Sequence, residues 1–178
     1  MKAKLFLILL CVNFMSACQG LNSDRVNHEN QFLPEEDTLT VTLTLEQSAH
    51  LTLTNFYDLL NQGAYAQAAG LYGGSYDTLR SYNPVIDPEE KAGLLEAGCK
   101  FNGFTCLKVL SAIPIQAGNP KIFEFEVTYA NPDGSLFVLG PCCGETEENM
   151  PPQSTFIVHV TCENTDSCHV LDLPPYVP

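Results

Sequence analysis

Eight cysteines and four histidines carry most of the chemistry open to this chain, and cysteine spacing decides its kind. Cys11 and Cys18 stand near the start, leaving Cys99, Cys106, Cys142, Cys143, Cys162 and Cys168. No Cys-x-x-Cys pair occurs among these six, and His159 and His169 are not at finger spacing, so no metal site is expected. An even set of cysteines in an exported chain reads instead as a disulfide framework. Cys162 and Cys168 flank a loop, 163–167, between two expected strands. Cys99 and Cys106 bracket 100–105, where Asn102-Gly103 supplies a turn. Either pair can meet within the usual Cα separation of about 4.4–6.8 Å. Cys142-Cys143-Gly144 is the unusual feature: a strained vicinal disulfide, or two thiols stapling different partners. Elimination leaves Cys142 and Cys143 to each other. A redox role would want Cys-x-x-Cys beside a strand-to-helix turn, so a structural role is expected.

The remaining candidates are weaker. His159 lies in an alternating stretch with Thr155, Ile157 and Thr161 on its side and Phe156, Val158 and Val160 opposite. That pattern points it outward, beside Glu124 or Glu126, whereas histidines that do chemistry sit in clefts. Tyr57 and Tyr129 are the candidate ligand contacts; Tyr57 should pack on the sheet with its hydroxyl satisfied at the rim. Asp58 falls off the apolar stripe of its helix and is expected to be solvated. The chain offers no Ser-His-Asp set, phosphate-binding glycine loop or His-Glu-x-x-His motif. Glu145-Thr146-Glu147-Glu148 lacks the alternating oxygens of a Ca²⁺ loop and reads as a solvated loop. No catalytic residue and no cofactor are therefore expected.

The N-terminus predicts location. Lys2 and Lys4 precede an apolar run over 5–12, too short for the roughly 20 residues a membrane-spanning helix needs. Met15-Ser16-Ala17-Cys18 resembles a bacterial lipobox, which implies a signal peptide over 1–17 cut before Cys18 and acyl chains on that cysteine. Two or three such chains hold a protein on a bilayer far better than one. The protein is then exported and lipid-anchored to the cell membrane or outer membrane. The net charge of −13, which loses two positive charges with the signal, argues against nucleic acid and anionic headgroups as partners.

Residues 18–37 are polar and acidic, a flexible tether, and 38–178 form one domain. Strict alternation over 38–43 suggests a strand. Thr44 and Gln47 fit a capping box, after which Ala49, Leu53, Phe56 and Leu60 share one helix face. Gly63 ends that helix. A short helix carries Tyr65, Ala68, Ala69 and Tyr72 up to Gly73-Gly74. A third starts at Asp87-Pro88 and runs toward Ala97, burying Leu94 and Leu95. Strands follow over 106–113, 121–129, 135–139, 155–162 and 168–173, with a turn at Asn131-Pro132-Asp133-Gly134. Phe123, Phe125, Phe156 and Val158 should share one core. The fold class is α+β, with helices packed on one face of an antiparallel sheet.

Phe56-Tyr57-Asp58-Leu59-Leu60-Asn61-Gln62-Gly63-Ala64-Tyr65-Ala66-Gln67-Ala68-Ala69, and the element order over 44–174, resemble the nuclear transport factor 2-like superfamily, also called the ketosteroid isomerase-like or cystatin-like cone. The resemblance implies a curved sheet wrapped around the first helix, enclosing a conical pocket. Enzymes of that superfamily place an acid or base in the pocket, with groups at the level of Tyr57 and Asp58; many other members are binding or accessory domains. The expected function is a non-enzymatic envelope lipoprotein binding a small ligand or a protein partner. Its alternatives are an isomerase or lyase-type enzyme and a structural accessory of a surface assembly. A buried Asp or His in an open pocket would favour the enzyme; an interior filled by aromatics, with an apolar patch outside, would favour partner binding.

Overall fold

The computed structural model describes residues 43–115 and 119–177. The signal peptide, Cys18, the tether and the strand expected over 38–43, except Leu43, lie outside the described residues.

Thr44 opens helix α1 (Leu45–Asn61) with both halves of a capping box. Its hydroxyl accepts from the Gln47 N–H at 3.2 Å, and the Gln47 side chain accepts from the Thr44 N–H at 2.9 Å. The helix closes as expected. Gly63 sits at φ 76°, so its N–H reaches the Leu60 carbonyl while the Ala64 N–H reaches that of Leu59. Ala49, Leu53, Phe56 and Leu60 are all buried, because steps of three and four residues keep them on one face.

Helix α2 (Tyr65–Leu71) follows, then α3 (Asp77–Tyr82) and α4 (Lys91–Phe101). Among the described residues four helices form where three were expected. The extra one, α3, is short and buries only Leu79 within it, so it leaves no periodic signature. Residue 87 also does not start the last helix. The Asp87 carboxylate accepts from the Glu89 N–H at 2.9 Å and its carbonyl from the Glu90 N–H, closing a turn, so α4 begins at Lys91. Leu94 and Leu95 are buried as expected, and α4 lies so close to α3 that a side chain at Gly98 would strike Leu79.

Strands β1 (Lys108–Ile115), β2 (Ile122–Ala130), β3 (Phe156–Asn164) and β4 (Ser167–Val170) make one antiparallel sheet in the order β1-β2-β3-β4. α1 packs against all four strands and α2 against β4, while α3 and α4 touch other helices and no strand, so the chain is α+β. Phe125 and Val158 are fully in the core; Phe123 and Phe156 are half-buried at its margin. The segment 135–139 is not a strand. It makes single bridges, Leu136 with Ala130 and Leu139 with Gln153, because β3 already pairs with β2 up to Val127 and only the last residues of β2 stay open beside it. The turn before it forms as expected, with the Gly134 N–H on the Asn131 carbonyl and Gly134 at φ 83°.

The β4 edge is covered by the end of α2: Tyr72 bridges Val170, and the Gly73 N–H donates to the Val170 carbonyl. Residues after β4 return across the molecule. Thr105 donates to the Pro175 carbonyl and Val177 to that of Gly103.

Candidate functional site

The space between α1 and the sheet is where the family resemblance implies a pocket, and aromatic side chains occupy it. Phe56 and Tyr57 are neighbours on α1; Tyr129 alternates inward with Phe125 and Val127 on β2. Tyr57 and Tyr129 pack ring against ring at 5.0 Å, Phe156 sits 5.6 Å beyond Tyr129, and Phe56 stacks on Tyr72 at 5.7 Å. The two ligand-contact candidates are therefore brought together, and both are 0% exposed. Asp58 is half-buried on the flank of α1 rather than fully solvated.

The expectation that the Tyr57 hydroxyl is satisfied at the rim is corrected. The hydroxyls of Tyr57, Tyr76 and Tyr129, with that of Ser48, are buried without a hydrogen-bond partner. The Tyr57 ring is 0% exposed and packs on Tyr129 of β2, away from solvent. Tyr57 and Tyr129 perturb each other's ionisation without reaching hydrogen-bond geometry. Burial, and then the charge Tyr129 would carry, pushes the Tyr57 phenol well above its ordinary range. Burial first, then Tyr76, raises Tyr72; burial also raises Tyr129. Tyr76 is pushed up to about 12 by burial, against the lowering effect of Arg80. All four phenols stay protonated at neutral pH, so none can serve as a base.

What remains open lies at the periphery. A cleft of about 410 Å³ runs between the first turns of α1 and strand β1, lined by Leu43, His50, Leu51, Ala112, Pro114 and Phe125. His50 meets Phe125 edge-on at 5.8 Å. A smaller groove of about 290 Å³ lies where Gln153, Phe156 and Asp172 border Tyr129.

His159 faces away from the helices, in register with Glu124 on β2. Its Nε2 is 4.0 Å from the Glu124 carboxylate, and its Nδ1 is 2.8 Å from Oδ2 of Asp172. A carboxylate only accepts, so Nδ1 carries the proton and Nε2 is left toward Glu124. Asp172 was not legible as a partner: thirteen residues separate the two, and only the β3–β4 register joins them. An Asp–His pair of this kind orients an imidazole, but none of the described clefts opens onto Nε2.

The outer face also carries apolar residues. Ile113 and Ile157 flank Glu126 in one cross-strand row and are 56% and 47% exposed. Cys99 is bonded to Cys106 and Cys162 to Cys168, the two pairs expected from the loops they bracket. The third bridge expected, between Cys142 and Cys143, is not closed: both carry free thiols, their Sγ atoms 2.8 Å apart, in a loop without strand or helix. Among the described residues, no three His, Cys, Asp or Glu side chains are placed to hold a metal, and no helix is long and apolar enough to cross a membrane.

Searches for a matching family model, a similar curated protein and a similar solved structure each find no match.

Proposed function

We propose that this chain is an exported lipoprotein, anchored through Cys18, whose domain is a nuclear transport factor 2-like cone used for binding a protein partner without catalysis. One observation carries the reading. Tyr57, Tyr129 and their aromatic neighbours occupy the interior where a cone enzyme would hold substrate, while Ile113 and Ile157 stand uncovered on the opposite face. Apolar side chains grouped on a polar face mark interaction surfaces more often than isolated ones do. Supporting the anchor are the lipobox-like Met15-Ser16-Ala17-Cys18 and the acidic segment that follows it.

A second reading, a small apolar ligand, is favoured by the cleft between α1 and β1, where Leu43, Leu51 and Phe125 surround His50. Its size, about 410 Å³, suits a compact ligand.

The test uses the full chain in membranes. A photo-crosslinker at Ile157 should give a discrete adduct that one at Val85, 95% exposed between α3 and α4, does not. Ile113→Lys should remove that adduct. Cys18→Ala should leave the membrane or accumulate as uncleaved precursor. Equal adducts from both crosslinker positions defeat the partner reading, and fatty-acid labelling of Cys18→Ala as strong as wild type defeats the anchor.

A further inference from the structure

Cys142 and Cys143 differ from the other described cysteines. Those four are bonded in pairs; these two are free thiols, with Cys143 exposed and Cys142 half-buried. Side chains of adjacent residues point apart in extended chain, yet here the sulfurs are 2.8 Å from each other. The backbone accounts for it. Cys143 takes φ 61° and Gly144 φ 92°, both left-handed, and the Glu145 N–H closes the turn on the Cys142 carbonyl at 3.0 Å. A residue with a Cβ rarely accepts that conformation, and where one does, the site is a candidate for function.

We propose that Cys142 and Cys143 form a thiol–disulfide exchange site that reacts with a low-molecular-weight disulfide arriving from solvent. The exposed Cys143 attacks first, as its thiolate. It bonds to one sulfur of the small disulfide and expels the other as a thiolate, giving a mixed disulfide. Cys142 then passes its proton to that leaving thiolate and attacks Cys143 Sγ, releasing the second half of the reagent. The protein loses two hydrogens and the small disulfide becomes two thiols, so atoms and electrons balance. The contact with Cys143 holds the Cys142 thiol above its ordinary range, which suits it to keep its proton until the second step. The product closes a small ring around the intervening peptide group. Strained and exposed disulfides of this kind are the labile ones, so the site should open as well as close.

Glutathione buffers of graded reduced-to-oxidised ratio test this on the full chain. Cleavage after Glu126 and Glu145 isolates both sulfurs on one peptide, 127–145, away from all other cysteines. The expected result is a peptide that passes from dithiol to a form two hydrogens lighter, with its midpoint inside the buffered range, while 99–106 and 162–168 stay closed. Cys142→Ser should accumulate a glutathione adduct on Cys143 that the wild type resolves. A peptide that stays a dithiol in fully oxidised buffer, stays closed in fully reduced buffer, or is linked to another cysteine overturns the proposal. The wild-type titration decides the matter even if the variant does not fold.

Discussion

Asp172 holds His159 at two points: Oδ2 accepts from the backbone N–H at 2.6 Å and from ring Nδ1 at 2.8 Å. β4 ends at Val170, and the carboxylate takes the ladder donor that a longer strand would have satisfied. Asp172→Ala should therefore loosen the end of the β3–β4 pair. Hydrogen bonds to a charged group are worth ~1.5–3 kcal/mol, and partial exposure reduces that to about 1 kcal/mol here. Urea unfolding checks it: a midpoint equal to wild type would mean that the carboxylate holds nothing.

The buried tyrosines predict alkaline unfolding. Tyr57, Tyr72, Tyr76 and Tyr129 are all raised by burial. The native state keeps protons that the unfolded chain loses above about pH 10. Stability is thus unaffected by these groups below that pH and falls above it, by about 1.4 kcal/mol per pH unit for each tyrosine involved. Tyrosinate absorbance should rise for these four only together with loss of the fold. Free titration of all seven tyrosines in an intact domain would contradict the burial.

Tyr57→Phe should leave stability unchanged or raise it by up to about 1 kcal/mol, because it deletes a buried hydroxyl that has no partner. Thermal unfolding is the readout. A loss above 1 kcal/mol would reveal a bond that the hydroxyl makes.

How far the sequence reaches is clear from these residues. α1 was legible to its caps, since Thr44, Gln47 and Gly63 act on backbone groups within one turn. The inward faces of β2 and β3 followed from strict alternation. The Asp172–His159 contact and the depth of Tyr57 were not, because both depend on how separate elements cross. The 135–139 segment has strand-like composition, and what it lacks is an unoccupied neighbour, which no local pattern records.

Two glycines separate space from propensity. A side chain at Gly74 would be driven into the Leu171 carbonyl and the Tyr72 ring, so Gly74→Ala should cost more than about 2 kcal/mol. Gly70 on α2 has nothing near, and Gly70→Ala should stabilise by about 0.4–1 kcal/mol. Equal unfolding midpoints for the two variants would refute the contrast.

Removing a bridge by Cys99→Ala with Cys106→Ala should cost about 2–3 kcal/mol, the chain-entropy value for so short a loop. Denaturant midpoints under non-reducing conditions measure it, and an unchanged midpoint would show the bridge to be thermodynamically idle.

The strap formed by Pro175 and Val177 on Gly103 and Thr105 sets an order in time. A chain made from its N-terminus presents α1 and α4 before residues 175–177. The α4–β1 junction, bridged locally by Cys99–Cys106, gains these last bonds only from a segment seventy residues downstream. Until those residues emerge, Thr105 and the Gly103 carbonyl lack the partners they have in the folded domain. Closing these bonds is therefore a long-range step, and any delay in it lengthens the interval in which the α4–β1 segment can make wrong contacts.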